Sequence, residues 1–397
     1  MNIILQNLRA IFSVLILIST YTSCRIVDTN REPEDFPNVV DELLNLLDEK
    51  EAKFNDENQE QQQQQEQELY PVENIRWQGP RNVGQIVGVA VDLFGNPVIF
   101  HRGDRTWNFE SFDEMFEFQE AFRGPINQDT ILTLNPQSGV VESSWGADMF
   151  YLPHGLHIDA QGNFWMTDVA LHQVFKFEPG AMKPSLILGE AFISGNDDEH
   201  FCQPTSVAVA RTGEIVVADG YCNNRIMVFD PSGNVLNRIP QPGEFVALRV
   251  PHGLAIIERG DVCVADRENM RVICMSLRTG LGMDSDDKRG PPLTLQQPDL
   301  GRVFAVAAHG NTIYAVNGPT SPMIPVCGFT MNPKTETIFG HWAPTTGTFT
   351  QPHAMTISPN GTELYVTEIG PNRIWKFDLV VRDTYENQDD SNLSSQK

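Results

Sequence analysis

The sequence predicts an all-β fold, a six-bladed β-propeller, and three observations lead there. A segment of fixed pattern recurs at intervals of about 50 residues, the period of a propeller blade. Within each copy, apolar and polar residues alternate with period two, as in strands. The same residues also return at the same offsets. LPHGLHID at 152–159 matches VPHGLAII at 250–257 and QPHAMTIS at 351–358, and QPTSVAVA at 203–210 fits the same frame. Weaker copies at 87–101 and 303–317 bring the count to six. Each copy continues through a Gly- or Asn-containing turn into a second strand, such as IVVAD at 215–219, and then a third, such as NRIMVF at 224–229. In such a blade the first strand lines the channel and leaves one face, and the second returns to it. Residues just before strand one and just after strand two therefore gather on one rim.

The organisation outside the repeats is plain. Residues 1–24 have the pattern of a secretory signal, with Arg9, a short apolar run at 10–18 and small polar residues after it. That run is shorter than a membrane span requires. Residues 25–74 are acidic and Gln-rich and are expected to be a disordered pro-segment or linker. The propeller is placed at 75–381 and a disordered polar tail at 382–397. Asn360 and Asn392 begin Asn-X-Ser/Thr triplets and are candidate glycosylation acceptors. The net charge of -24 excludes a nucleic-acid or anionic-membrane surface as the main partner.

Histidine opens the inner strand in the second, fourth and sixth copies, as His154, His252 and His353. Alternate blades stand at three-fold spacing around the axis, so these side chains converge. One such histidine would be an ordinary channel residue. Three neutral imidazoles with a fourth position open form a catalytic zinc arrangement, and nickel, copper or iron also accept imidazole. The second strands of three blades lead into Arg102, Tyr221 and Arg267 on the same rim. Paired arginines can hold a carboxylate. A tyrosine between arginines and a metal has its pKa lowered and is a candidate base. Cys263 and Cys274 flank a turn on neighbouring strands, where a disulfide can form. Cys202 and Cys222 both lie on the rim, and Cys327 is left as a buried thiol.

Longer motifs carry a resemblance. IFHRGD at 99–104, FYLPHGL at 150–156, TDVALHQVFK at 167–176, HFCQPT at 200–205, DGYCN at 219–223 and CVADREN at 263–269 closely resemble peptidyl-α-hydroxyglycine α-amidating lyase. This is the second catalytic module of peptide α-amidation, built on NHL-like repeats. The resemblance covers residues 75–379. It implies zinc ligands at His154, His252 and His353, and substrate and catalytic residues at Arg102, Tyr221 and Arg267. It also implies disulfides Cys202–Cys222 and Cys263–Cys274, and a structural calcium taking carbonyls of Val89 and Leu156. Two positions depart from the family pattern. Ala354 stands where the family has an acidic calcium ligand, and Gln351 stands where it has methionine.

The implied activity is cleavage of peptidyl-α-hydroxyglycine to a peptide amide and glyoxylate, in the secretory lumen. Substrate would come from a separate peptidylglycine monooxygenase, whose module has no counterpart in this sequence. Two further readings compete with it. One is a catalytically impaired propeller that binds hydroxylated or amidated peptides, through the changes at Gln351 and Ala354. The other is a zinc hydrolase, which lacks an evident carboxylate base beside the histidines.

Overall fold

In the computed structural model, residues 69–241, 246–277 and 292–381 are described. They form twenty-four strands in six antiparallel sheets of four. Strand β1 is Leu69–Glu73. Blade 1 comprises β2 (Ile86–Val91), β3 (Pro97–His101), β4 (Ile131–Leu134) and β5 (Val141–Trp145). Blade 2 comprises β6 (Pro153–Ile158), β7 (Phe164–Asp168), β8 (Gln173–Phe177) and β9 (Leu186–Leu188). Blade 3 comprises β10 (Ser206–Val209), β11 (Ile215–Asp219), β12 (Arg225–Phe229) and β13 (Val235–Ile239). Blade 4 comprises β14 (Pro251–Ile256), β15 (Asp261–Asp266), β16 (Arg271–Ser276) and β17 (Leu293–Leu295). Blade 5 comprises β18 (Val303–His309), β19 (Thr312–Asn317), β20 (Gly328–Asn332) and β21 (Thr337–Trp342). Blade 6 comprises β22 (Pro352–Ile357), β23 (Glu363–Ile369), β24 (Asn372–Val381) and, as its outermost strand, β1.

The last pairing closes the ring. Leu69 faces Val381 and Glu73 faces Phe377. The first described strand, Leu69–Glu73, therefore lies inside the segment that the sequence assigns to the linker. LYPVE contains Pro71, which a central strand would not tolerate, but β1 is an edge strand and has no further neighbour to serve.

Period-two alternation explains the seams between blades. Along β15, Val262 and Val264 pack into the seam with blade 3, against Val216, Ala218, Ile226 and Val228. Cys263 and Ala265, pointing the other way, join the seam with blade 5, against Val306, Ile313, Ala315 and Phe329. Each blade thus buries both faces, which is why β3 and β11 are buried along their whole length. A fully buried Val or Ile stabilises by about 1.5–3 kcal/mol relative to an exposed one.

A buried acid fastens the rim loops of four blades. Asp168 ends β7 and accepts from the backbone N–H groups of Tyr151, Leu152, Ala170 and Leu171. Asp219 holds the N–H of Cys202 and the Arg225 guanidinium, and Asp266 holds the N–H of Arg249 and the Arg271 guanidinium. Glu368 holds the N–H groups of Thr350 and Gln351. Three of these acids pair in register with the proline that precedes a histidine: Pro153 with Asp168, Pro251 with Asp266, and Pro352 with Glu368. The acids therefore fix where each inner strand begins.

Candidate active site

His154, His252 and His353 are each the second residue of an inner strand, in blades 2, 4 and 6. Their rings meet with centroids 4.7–5.0 Å apart. One ring nitrogen from each lies within 4.8 Å of the others. All three side chains are buried.

The odd blades orient them. Nδ1 of His154 lies 2.7 Å from the Thr205 carbonyl, Nδ1 of His252 lies 2.6 Å from that of Phe304, and Nδ1 of His353 lies 2.8 Å from that of Val87. A carbonyl can only accept, so Nδ1 carries the proton and the Nε2 lone pair is left for a ligand. Burial is the main cause that lowers the pKa of all three, assisted by nearby positive groups, and His353 is brought to about 3. The imidazoles are therefore neutral at physiological pH, the state a metal requires. Three neutral nitrogens converging without a carboxylate fit zinc and other imidazole-binding ions.

Tyr221 reaches the same point. Its Oη is 2.9 Å from Nε2 of His154 and 3.2 Å from Nε2 of His252. Burial raises the phenol pKa, and Arg267 and Arg102 only partly oppose it. The sequence reading has this pKa lowered. Without a metal the loss of hydration outweighs the two guanidinium charges.

Arg102 is buried just beyond β3. Its Nε donates to the Pro153 carbonyl at 3.0 Å and Nη1 to Gln85 Oε1 at 2.9 Å, while Nη2 is buried without a partner. Burial lowers its pKa to about 10, so it remains cationic. Arg267 opens a short 3₁₀ turn, Arg267–Asn269. Its guanidinium lies 5.4 Å from the Tyr221 ring centre and 5.1 Å from that of Phe304, and Nε donates to Glu268. All six residues singled out for chemistry in the sequence thus lie on one rim.

The NHL repeat family matches residues 201–229 and 248–275. Peptidyl-alpha-hydroxyglycine alpha-amidating lyase 2 of Drosophila melanogaster is 51% identical over 302 residues, covering 75% of this chain and 72% of that protein. The chain belongs to the peptidyl-α-hydroxyglycine α-amidating lyases. A probable lyase of Caenorhabditis elegans is 40% identical, covering 76% of this chain and 84% of its own. Peptidyl-glycine alpha-amidating monooxygenase A of Xenopus laevis is 43% identical, but only 33% of that longer chain is covered. The protein is accordingly a peptidylamidoglycolate lyase, with a role in peptide amidation.

Cys202–Cys222 and Cys263–Cys274 are disulfides, with Cα separations of 5.5 and 4.0 Å. Cys327 is free and buried, its thiol pushed up to about 11 by burial. Val89 and Leu156 lie on β2 and β6, and Ala354 lies on β22. Among the described residues, the three histidines form the only group of three or more His, Cys, Asp or Glu side chains placed to hold a metal. Gln351 is exposed one residue before β22, with its Oε1 against Gly370. Asn360 is exposed in the β22–β23 turn, whereas Asn392 and residues 1–68 lie outside the described residues. No helix among the described residues is long and apolar enough to cross a membrane.

Two site residues carry no mark in the sequence reading. Trp107 lies with its ring 4.7 Å from that of Tyr221 and 6.2 Å from that of His154. Gln85 precedes β2 and touches Arg102. The available signal for Trp107 is loop length. Residues 102–130 form a long connection between β3 and β4, and loops of that size are often functional.

Proposed function

We propose that this lyase cleaves peptidyl-α-hydroxyglycine to a C-terminal peptide amide and glyoxylate, with zinc held by His154, His252 and His353. The observation that carries the reading is the convergence of three Nε2 atoms with the Tyr221 hydroxyl, beside a buried Arg102 N–H that has no partner.

When bound, zinc would supply Lewis acidity and lower the pKa of groups beside it. The chain's own residues do the rest. Arg102 Nη2 takes a substrate carboxylate oxygen, satisfying an N–H that is otherwise unpaired. Arg267, whose guanidinium lies 5.4 Å from the Tyr221 ring centre, grips the same terminus. The Tyr221 oxygen, as tyrosinate, accepts the proton of the substrate's α-hydroxyl. As the carbinol C–O becomes a carbonyl, the C–N bond breaks and its electron pair goes to the amide nitrogen. That nitrogen takes up the proton, and Tyr221 is returned to its starting state. The indole of Trp107 covers one side of the phenol and keeps bulk water from it.

The likeness to part of the longer Xenopus laevis peptidyl-glycine alpha-amidating monooxygenase A supports a peptidylglycine monooxygenase as the source of the hydroxylated peptide. The leader-like residues 1–24 and two disulfides support a secretory-lumen location. A calcium ion on the Val89 and Leu156 carbonyls would bind weakly, because Ala354 offers no carboxylate. Purified protein is incubated with an α-hydroxyglycine peptide, with and without a chelator, and glyoxylate is followed. Zinc-dependent release is expected. Peptide binding without release would establish the binding-only propeller instead.

A further inference from the structure

Gln85 stands at the entrance to β2, where blade 1 meets blade 6. The residue before it, Gly84, approaches Gly103 so closely that a Cβ at position 84 would lie 2.2 Å from the Gly103 carbonyl oxygen. Only glycine permits that approach. It presses the residue entering the first strand of blade 1 against the residue leaving the second, so Gln85 lies beside Arg102.

Four contacts follow. The Gln85 carbonyl accepts the Arg102 backbone N–H at 3.0 Å. Its side-chain Oε1 accepts from Arg102 Nη1 at 2.9 Å and from the Trp107 backbone N–H at 3.5 Å. Its Nε2 donates to the Ile369 carbonyl, on the rim of blade 6, at 3.4 Å. Only this orientation of the amide satisfies all the partners, since the oxygen faces two donors and the nitrogen faces an acceptor.

The consequence for Arg102 is specific. Nε is held by Pro153 and Nη1 by Gln85, so the guanidinium plane is fixed and Nη2 is the nitrogen left over. A guanidinium free to turn would not keep a buried N–H unpaired, because that state is costly. The same amide anchors Trp107, whose ring lies 5.3 Å from the Arg102 guanidinium and 4.7 Å from the Tyr221 ring.

We propose that Gln85 is a positioning residue of this site: its amide aims Arg102 Nη2 at the substrate carboxylate and seats Trp107 as the wall beside Tyr221. The inference rests on the reading of Arg102 as a carboxylate contact. Gln85 itself touches no reacting atom and acts through its two neighbours.

The test uses the zinc-loaded full chain and a Gln85→Met variant, which keeps length and loses the acceptor. An α-hydroxyglycine peptide gives KM and kcat, and glyoxylate inhibition gives Ki. KM and Ki should both rise by roughly tenfold, the effect of one misplaced charged hydrogen bond, with a smaller change in kcat. Zinc content should stay at the wild-type value, and Tm should fall modestly because Arg102 Nη1 loses its acceptor. In an Arg102→Ala background the same substitution should add little, because its route of action is gone. Should Gln85→Met fold poorly, Gln85→Leu removes the same acceptor with a smaller side chain and should raise KM and Ki likewise. Wild-type KM and Ki in the variant that folds, or a full additional effect on top of Arg102→Ala, would overturn the proposal. Arg102→Ala with unchanged KM and Ki would instead remove the carboxylate reading beneath it.

Discussion

At the scale of single residues, Tyr221 carries the sharpest prediction. Its hydroxyl touches two imidazoles while its ring is enclosed by Trp107, Arg267 and His154. Tyr221→Phe removes one oxygen and leaves that packing, so zinc content should persist. The kcat should fall by about 10²–10⁴-fold, the usual worth of a general base. A variant that kept full turnover would withdraw the role. Histidines outside the triad carry a second prediction. Burial lowers the pKa of His157 and His172 to about 4, while the unfolded chain takes up those protons near pH 6.5. Between these values the unfolded state binds more protons, so stability rises with pH across the window and is lost as pH falls from about 6.5 toward 4. The Tm of metal-free protein should drop over that range, and His172→Asn should flatten the slope. An unchanged slope would mean that His172 is not neutral in the fold. The histidine triad was legible in the sequence because it recurs at matched offsets. The carbonyls of Thr205, Phe304 and Val87 that aim it were not, because every residue has a carbonyl and only the packed ring says which one faces an imidazole.

At the scale of elements, the loops that follow the second strands carry Arg102, Tyr221 and Arg267. Tyr221 sits between the buried Asp219 and Cys222, and the Cys202–Cys222 bond joins its loop to the entrance of β10. Replacing both cysteines with serine opens a link between residues 20 apart in sequence. The expected cost is about 2–4 kcal/mol of stability. Denaturant unfolding measures it, and glyoxylate release should fall more steeply than zinc content as the Tyr221 loop loosens. Unchanged unfolding midpoint and activity would assign the bond no part in holding the loop. Most of these elements were legible, since inner and second strands repeat a pattern. Strand β1 was not. LYPVE is short, contains Pro71 and follows a glutamine-rich run, and its partner β24 lies some 300 residues away in the chain.

At the scale of the molecule, that pairing makes the ring a closed object. Deleting the chain up to Asn74 would remove β1, expose the outer edge of β24 and uncover Tyr314, whose hydroxyl donates to the Leu69 carbonyl. A protein beginning at Ile75 should melt lower and aggregate more readily through the bare strand edge. Equal Tm and solubility for the two lengths would show that the other strands of blade 6 suffice. The alternation of blades has a further consequence, for ancestry. The converging histidines come from blades 2, 4 and 6, and the carbonyls that orient them come from blades 1, 3 and 5. A repeat protein ordinarily grows or shrinks by copying or dropping one unit, and the ring adjusts. Here, one unit more or fewer would set two units of the same kind side by side and leave a histidine without its carbonyl. The pattern survives only in even numbers, and three converging imidazoles select six. Once the triad was in place, this propeller could no longer change its number of blades one at a time.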